Sequence, residues 1–274
     1  MLQETIPECP LPVALCLGGV DPSGGAGLVR DVLTLSWQGA YPMIVPLAET
    51  IQNSMGCYAI ETPGVSPLLS LEALRPHLVA AWGVKIGLSA LDSEAWSAVC
   101  ALLWDLDPPI RIWDPILAPS FGVTHHDAPR LRRMAQALLA GGGWVVCPNL
   151  PEAKVLAGMS IEDTSSPDPQ RLADPLLDMG ARGVWLKGGH GGQTQVEDFW
   201  ITPNGSVSLG AYSRLPGERR GTGCTLASAW LGYRLQGLDE IASALAAAAW
   251  IREQWNGAFA PGGVGRPCFT ARMA

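Results

Sequence analysis

Short apolar runs alternate along the chain with longer segments in which apolar residues recur every three or four positions. A short apolar run is typical of a buried strand, whereas the longer spacing is typical of a helix that packs on one face. The runs predict strands at residues 13–17, 43–48, 83–87, 110–113, 144–147 and 183–186. The periodic segments predict helices at residues 28–38, 68–81, 94–104, 129–139, 172–179, 226–236 and 239–256, with a further helix beginning near Pro151.

A hairpin is expected where residues 193–200 and 206–209 flank the turn Pro203-Asn204-Gly205. Elsewhere strands alternate with helices, which predicts a doubly wound, mainly parallel α/β sheet with this hairpin as an antiparallel edge. Residues 165–170 form a polar, proline-rich loop, and no repeat or long linker interrupts the pattern. We therefore expect one domain over residues 1–274, with irregular tails at 1–10 and 258–274.

The composition narrows the functional classes. The chain has 274 residues, of which 48% are hydrophobic, so a sizeable core is expected and disorder is disfavoured. A net charge of −7 without a basic run disfavours a nucleic-acid partner. No apolar run reaches about 18 residues and the first ten residues lack a basic segment, so neither a membrane span nor a signal peptide is predicted. The seven cysteines form no Cys-x-x-Cys pair, which favours a reducing cytoplasm over a zinc site or a disulfide framework.

Polar residues follow most of the predicted strands at the point where each strand ends. Because the carboxyl ends of parallel strands meet at one edge of the sheet, we expect these side chains to line a single cleft. The set contains Asp21, Gln52, Asp114, Asn149, Glu152, Lys187 and Cys224.

Two glycine-rich turns border that cleft, and neither matches a dinucleotide fingerprint or a P-loop. The first turn covers residues 21–27, and we call it the glycine turn. The second covers residues 219–225 and precedes a predicted helix. Glycines and a helix start turn backbone N–H groups and the positive end of the helix dipole toward one point, which favours an anion. With two arginines in front, we interpret residues 219–225 as the place where a phosphoryl group is held.

These motifs together resemble one known family, the hydroxymethylpyrimidine/phosphomethylpyrimidine kinases of thiamine biosynthesis, which have a ribokinase-like fold. The matching segments run in the family's order over about residues 13–237. They are Gly19-Val-Asp-Pro-Ser-Gly-Gly-Ala-Gly27, Gln52-Asn53-Ser54, Val84-Lys-Ile-Gly87, Asp114-Pro115, Pro148-Asn-Leu-Pro-Glu-Ala153, Lys187-Gly-Gly-His190, Asp198 and Gly221-Thr-Gly-Cys-Thr225. The last segment is the most specific, because other ribokinase-like kinases carry an aspartate where Cys224 stands.

The resemblance implies a three-layer αβα fold and a homodimeric kinase that uses ATP and Mg²⁺. Its implied substrate is the aminopyrimidine alcohol 4-amino-5-hydroxymethyl-2-methylpyrimidine, followed by the monophosphate of that alcohol. Carried over by position, the pyrimidine pocket contains Gly19, Asp31, Gln52, Leu88 and Ile116. The positions implied for metal and ATP are Asp114 and Glu152 for Mg²⁺, and Asn149, Lys187 and Thr222 for ATP. The implied catalytic residues are Lys187, Gly221, Gly223 and Cys224.

Two roles for Cys224 are open. The thiol, whose usual pKa of about 8.5 is lowered by a helix N-terminus, acts as a general base in place of the aspartate of related kinases. Alternatively, the thiol only packs beneath the substrate while its backbone N–H binds the phosphoryl group.

The sequence departs from the family pattern at three places. Arg220 stands where a histidine is usual, Val20 replaces a serine or threonine, and residues 117–122 lack a usual lysine. Arginine keeps the positive charge and can bind phosphate through two hydrogen bonds, but it cannot shuttle a proton near neutral pH. These departures leave three alternatives open: a kinase for a pyridoxal-like alcohol, another ribokinase-like kinase such as one for sugars, and a non-catalytic pyrimidine-binding relative.

Overall fold

The structure is a computed structural model that describes residues 11–78, 82–117, 127–162, 167–190 and 194–270. Its nine strands form one sheet, and their bounds are β1 Val13–Val20, β2 Tyr41–Gln52, β3 Cys57–Glu61, β4 Trp82–Ile86, β5 Ile110–Trp113, β6 Val145–Val146, β7 Gly183–Leu186, β8 Gln195–Thr202 and β9 Gly205–Ser213. The strand order is β3-β2-β1-β4-β5-β6-β7-β8-β9. Neighbouring strands in this order are parallel from β2 through β1, β4, β5 and β6 to β7. The remaining pairs, β3 with β2, β7 with β8 and β8 with β9, are antiparallel.

Helices cover both faces of this sheet. Their bounds are α1 Gly27–Trp37, α2 Pro67–Leu74, α3 Ser93–Leu106, α4 Ala128–Leu139, α5 Leu150–Leu156, α6 Pro169–Asp178, α7 Thr222–Leu235 and α8 Glu240–Gln254. In β1, Leu15 and Leu17 pack in the same core cluster as side chains of α2 to α6. Ala14 and Cys16 point to the opposite face and pack with α1, α7 and α8. Side chains of a strand alternate between its faces, so the sheet separates two cores, and the predicted three-layer αβα fold is confirmed.

Side-chain caps define where several helices begin. The carboxylates of Asp92, Asp127 and Asp239 each accept a hydrogen bond from a backbone N–H in the first turn of α3, α4 and α8. Such caps satisfy one of the donors that a helix start leaves unpaired. Helix α7 differs, because its N-cap is Gly221, which offers no side-chain cap.

Three helix boundaries predicted from the sequence were wrong, and one strand was missed. The helix predicted over residues 68–81 ends at Leu74 and is followed by a 3₁₀ turn at Arg75–His77, because Pro76 has no N–H to continue the ladder. The last three residues of that prediction, 79–81, lie outside the described residues. Helix α6 begins at Pro169, inside the predicted loop 165–170. Helix α7 begins at Thr222 rather than at 226. The polar stretch after Gln52 is a tight connection to β3, which had not been predicted.

The segment after Gly257 is irregular, as expected, but it is folded back onto the protein rather than forming a loose tail. Phe259 and Cys268 bridge each other, and Cys268 and Phe269 are buried. The backbone N–H of Arg266 donates to the carbonyl of Ser54, 3.0 Å away. Residues 258–270 therefore bridge the β2–β3 connection and the turn before α7. Among the helices of the described ranges, none is long and apolar enough to cross a membrane.

Candidate active site

The carboxyl ends of the parallel strands form a continuous edge, because backbone hydrogen bonds continue past the strand ends. The N–H of Asp114 donates to Ile86 at 2.8 Å, and the N–H of Lys187 donates to Pro148 at 2.9 Å. The chain leaves β1 toward β2 on one side and leaves β4 toward β5 on the other. Ligands of doubly wound sheets bind where the strand order reverses in this way. The site is therefore expected between β1 and β4.

A buried ion pair lies at this edge. The ammonium of Lys187 is 2.8 Å from Oδ1 of Asp114, and both side chains are buried. Burial alone would lower the pKa of Lys187, but the carboxylate of Asp114 outweighs it and raises the pKa above its usual value. A Cβ added to Gly223 would lie 3.6 Å from both Nζ of Lys187 and Oδ2 of Asp114. The ion pair is therefore next to the first turn of α7, and no side chain of residue 223 separates them.

The first turn of α7 offers backbone donors to the same space. Gly221 has a φ of 72°, and a Cβ there would lie 2.2 Å from the carbonyl oxygen of Gly25. Glycine is therefore required where the second turn meets the glycine turn. The helical ladder begins with the N–H of Thr225 donating to Gly221 at 2.8 Å, so the N–H groups of residues 222–224 precede it. The hydroxyl of Thr222 donates to the carbonyl of Arg219 at 3.0 Å.

The thiol of Cys224 is buried, and burial raises its pKa to about 11. The nearby ammonium of Lys85 lowers the pKa, but not enough to offset the burial. This direction is opposite to the lowering that a helix start alone is expected to give. Near neutral pH the side chain is a thiol, not a thiolate.

Asn149 and Glu152 form a capping box at the start of α5. The N–H of Asn149 donates to Oε2 of Glu152 at 2.8 Å, and the N–H of Glu152 donates to Oδ1 of Asn149 at 3.0 Å. Burial raises the pKa of Glu152 to about 7; the charge of Lys187 opposes this shift and that of Asp114 adds to it. Within the described residues, there is no group of three or more His, Cys, Asp or Glu side chains that could hold a metal ion. Asp114 and Glu152 nevertheless fit Mg²⁺, which usually takes one or two carboxylates and keeps several waters.

Asp31 lies deeper than the other predicted substrate residues. Its Oδ1 accepts hydrogen bonds from Nζ of Lys85 at 2.6 Å and from the hydroxyl of Ser228 at 2.7 Å. Asp31 and Lys85 are each only 1% exposed. The sequence analysis did not identify Lys85 as a functional residue, although a lysine within an apolar strand signals a buried carboxylate partner.

The predicted apolar walls of the pyrimidine pocket lie together. Leu88 is buried in a small cluster with Ala48 and Ala90, and Ile116 packs against it. A Cβ on Gly19 would lie 3.1 Å from Cδ2 of Leu88, so a larger residue there would press on the same wall.

The two arginines of the second turn are both engaged by protein groups. The guanidinium of Arg220 is buried and contacts Asp21 Oδ2 at 2.9 Å, Ser23 Oγ at 2.8 Å and Gln52 Oε1 at 3.3 Å. The carboxylate of Asp21 pairs with this guanidinium and holds it against the glycine turn. The side chain of Arg219 lies on the ring of Trp255, 5.1 Å from its centroid. Arg219 is therefore engaged at Trp255 rather than at the start of α7, whereas a phosphate contact by Arg220 stays a prediction. The segment that lacks the usual lysine, residues 117–122, lies outside the described residues except for its first residue.

Comparison with known proteins agrees with the motif resemblance. A family model described as phosphomethylpyrimidine kinase matches residues 21–268. The hydroxymethylpyrimidine/phosphomethylpyrimidine kinase of Synechococcus elongatus is 31% identical over 247 residues, covering 88% of this chain and 90% of that protein. Its counterpart in Bacillus subtilis is 30% identical over 258 residues, covering 88% of each.

Solved structures agree as well. The phosphomethylpyrimidine kinase of Clostridium difficile 630 has a TM-score of 0.72 at 26% identity, covering 88% of this chain and 98% of that chain. The pyridoxal kinase of Staphylococcus aureus in complex with AMP-PCP and pyridoxal has a TM-score of 0.78 at 22% identity, covering 95% and 93%, which shows a shared fold alone. The family resemblance drawn from the motifs is confirmed, and the chain belongs to the phosphomethylpyrimidine kinase family.

Proposed function

We propose that the protein is an ATP-dependent kinase that phosphorylates 4-amino-5-hydroxymethyl-2-methylpyrimidine and then converts the monophosphate to the diphosphate. One observation carries this proposal: the Lys187–Asp114 pair lies beside the first turn of α7, with the position of a Cβ on Gly223 3.6 Å from both partners. A cation and the N–H groups of residues 222–224 thus border one space at the carboxyl end of the sheet. This combination suits the phosphoryl group of a transferring nucleotide.

In the proposed reaction, the substrate hydroxyl oxygen bonds to the γ-phosphorus, the bond to the bridging oxygen of ADP breaks, and the hydroxyl proton is released. The transition state is loose, with charge spread over the phosphoryl oxygens, so catalysis depends on alignment and charge neutralisation. Lys187 and the N–H groups of Thr222, Gly223 and Cys224 neutralise that charge. Gly221 matters because only glycine lets the turn approach Gly25 this closely.

Asp114 and Glu152 are proposed to hold Mg²⁺, and Asn149 lies beside them at the start of α5. Bound Mg²⁺ supplies further neutralisation of phosphate charge. The residues themselves provide buried carboxylate oxygens, which favour a hard cation.

Cys224 is proposed to act through its backbone N–H. The raised pKa of its thiol, about 11, leaves very little thiolate near neutral pH, which favours this role over that of a general base. On the substrate side, Gly19, Leu88 and Ile116 provide the apolar wall, while the amide of Gln52 pairs with the aminopyrimidine edge. Asp31 is proposed to support the floor of this pocket through Lys85.

A homodimer is proposed as the working form. The β2–β3 hairpin at the sheet edge exposes the apolar side chains of Ile44, Ile51, Met55 and Tyr58. A group of large apolar residues on one exposed hairpin favours a protein partner. Light scattering coupled to size exclusion is expected to give twice the mass of the chain, and Ile51→Lys with Tyr58→Glu is expected to give the monomer mass.

The activity test uses purified protein, Mg-ATP and the hydroxymethylpyrimidine, then its monophosphate, with products resolved by mass spectrometry. We expect the monophosphate from the first substrate, the diphosphate from the second, and no product after EDTA removes Mg²⁺. Pyridoxal and ribose in the same panel test the alternative kinases. Absence of product from both pyrimidines rejects the proposal, and pyrimidine binding in a calorimeter without turnover would instead indicate a non-catalytic relative.

A further inference from the structure

We infer that Arg220 is a positioning residue for substrate recognition, which fixes the orientation of the Gln52 amide across the pyrimidine pocket. The inference rests on the proposed function, because it concerns the pocket for the aminopyrimidine alcohol. It assigns to Arg220 a role that is distinct from phosphate binding.

The guanidinium of Arg220 connects three segments that are distant in sequence. It donates to Asp21 and Ser23 in the glycine turn and to Gln52 at the end of β2, while Arg220 itself directly precedes α7. The carboxylate of Asp21 also accepts from the N–H groups of Ser23 and Ala26, both at 2.9 Å. The glycine turn and the end of β2 therefore share one buried cation.

The position of Arg220 is fixed from the backbone side as well. Its N–H donates to the carbonyl of Pro267 at 2.9 Å, and it bridges Cys268. A Cβ on Gly25 would lie 2.7 Å from Nη1 and 3.0 Å from Cζ of Arg220, so the guanidinium packs directly on the glycine turn. Little room is left for another rotamer of this side chain.

The chemistry of the guanidinium determines which end of the Gln52 amide it contacts. Arginine has donors and no acceptor, whereas the amide of glutamine has a carbonyl oxygen on one side and an NH₂ group on the other. Only Oε1 of Gln52 can therefore face Arg220, at 3.3 Å. The NH₂ group is directed away from Arg220 and stays available as a donor.

This orientation favours one kind of substrate edge. An aminopyrimidine offers a ring nitrogen as an acceptor beside an amino group as a donor. Nε2 of Gln52 donates to the ring nitrogen, and the second lone pair of Oε1 remains for the amino group. Without the guanidinium, the Gln52 amide can rotate by 180° and exchange its oxygen and NH₂ group. In the rotated form, the NH₂ group of Gln52 faces the amino group of the substrate, and two donors oppose each other.

A double-mutant cycle tests this directly. Wild type, Arg220→Met, Gln52→Ala and the double variant are compared by steady-state kinetics with the aminopyrimidine alcohol and, separately, with ATP. Because Arg220 is inferred to act through Gln52, we expect Arg220→Met to raise KM for the alcohol about tenfold, the loss of one charge-assisted hydrogen bond, and KM for ATP less than about twofold. The double variant is expected to match Gln52→Ala alone, since coupled residues are not additive.

Arg219→Met is the matched control, because the side chain of Arg219 lies on Trp255 and points away from Gln52. It is expected to leave both KM values unchanged. Additive effects of Arg220→Met and Gln52→Ala, or equal changes in KM for ATP and for the alcohol, would overturn the inference. A wild-type enzyme without pyrimidine turnover would reject the proposed function, and the inference with it, whereas turnover with additive effects rejects the inference alone.

Arg220→His provides a second test, because histidine keeps a hydrogen-bond donor at residue 220. This test does not depend on whether the methionine variant folds. The titratable and charged groups around this position are Asp21, Cys57 of β3, Cys268 of the C-terminal segment and, beyond Asp21, Arg30 of α1. They are present in wild type too, so a difference between the two profiles reports the introduced imidazole. We expect KM for the alcohol to rise with pH in this variant near or above about 6.5, as the ring loses its charge, while the wild-type value stays flat. Parallel profiles would contradict a positioning role for the charge.

Discussion

The chain carries two lysine–aspartate pairs of similar geometry, and their surroundings differ in an instructive way. Lys85 and Asp31 are 2.6 Å apart, with both side chains 1% exposed, between β4 and the helices α1 and α7. Lys187 and Asp114 are 2.8 Å apart, with side chains 8% and 3% exposed, where β5 and β7 end. The hydroxyl of Ser228 completes the first pair, whereas the second faces a helix start without a side-chain cap.

The difference indicates that the two pairs have different roles. The first pair is enclosed by protein groups, since Asp31 accepts from Lys85 of β4 and from Ser228 of α7, and this favours a role in packing α1 and α7 on the sheet beneath the site. A pair at the strand ends borders the space where ligands of this fold class bind. Two pairs of the same residue types thus lie in different surroundings: one is enclosed between β4 and two helices, and the other borders the proposed phosphoryl site.

The largest expected effect is on stability, from Lys85→Met. Removing one partner of a fully buried ion pair leaves an uncompensated charge on Asp31, which costs about 3–5 kcal/mol in the free energy of unfolding. Urea unfolding followed by circular dichroism measures this loss. The double variant Lys85→Met/Asp31→Leu is expected to recover a large part of it, because apolar replacement of both partners removes the stranded charge.

Lys187→Met is the matched change at the other pair, and its main effect is expected on catalysis. Loss of a preorganised cation at the transferring phosphoryl group lowers kcat by about 100- to 1,000-fold. The loss of unfolding free energy is expected to be well below that of Lys85→Met, because Asp114 borders the cleft. Single-turnover kinetics and urea unfolding of both variants check the contrast. If Lys85→Met and Lys187→Met lost the same free energy of unfolding and kept the same kcat, the two pairs would not have the different roles inferred here.

The sequence was sufficient for most of the fold, because buried strands and amphipathic helices leave local patterns. The strand β3 left no such pattern: it lies at the sheet edge, and only its first residue, Cys57, is buried. The start of α7 was placed too late because glycines at 221 and 223 suggested a turn, although Gly223 has helical neighbours on both sides. Local propensity at these positions is overridden by tertiary contacts.

The site was predictable in part for the same reason. Strand ends are local features, so the sequence placed Lys187 and Asp114 in one cleft, but it assigned them to ATP and to Mg²⁺ and did not predict that they pair. The partners of Arg220 were not predictable, because Asp21 lies 199 residues away in sequence. Lys85 and Asp31 are separated by 54 residues, and no spacing rule links them. Contacts of this kind depend on the packing of α1 and α7 against the sheet.

The smallest expected effect is that of Cys224→Ser, because the substitution changes one side chain in the first turn of α7, near the ammonium of Lys85, and keeps the turn itself. The substitution keeps the backbone N–H and replaces a buried thiol of pKa about 11 by a hydroxyl. If the N–H is the working group, kcat stays within about threefold of wild type, and the pH profile of kcat between pH 6 and 9 has the same shape as that of wild type. A general base contributes about 100- to 10,000-fold to a rate, so a loss of that size, partly restored by Cys224→Asp, would assign the thiol a proton-transfer role instead. Unfolding measured on the same preparations separates either result from a packing defect, because serine in place of a buried cysteine also costs stability.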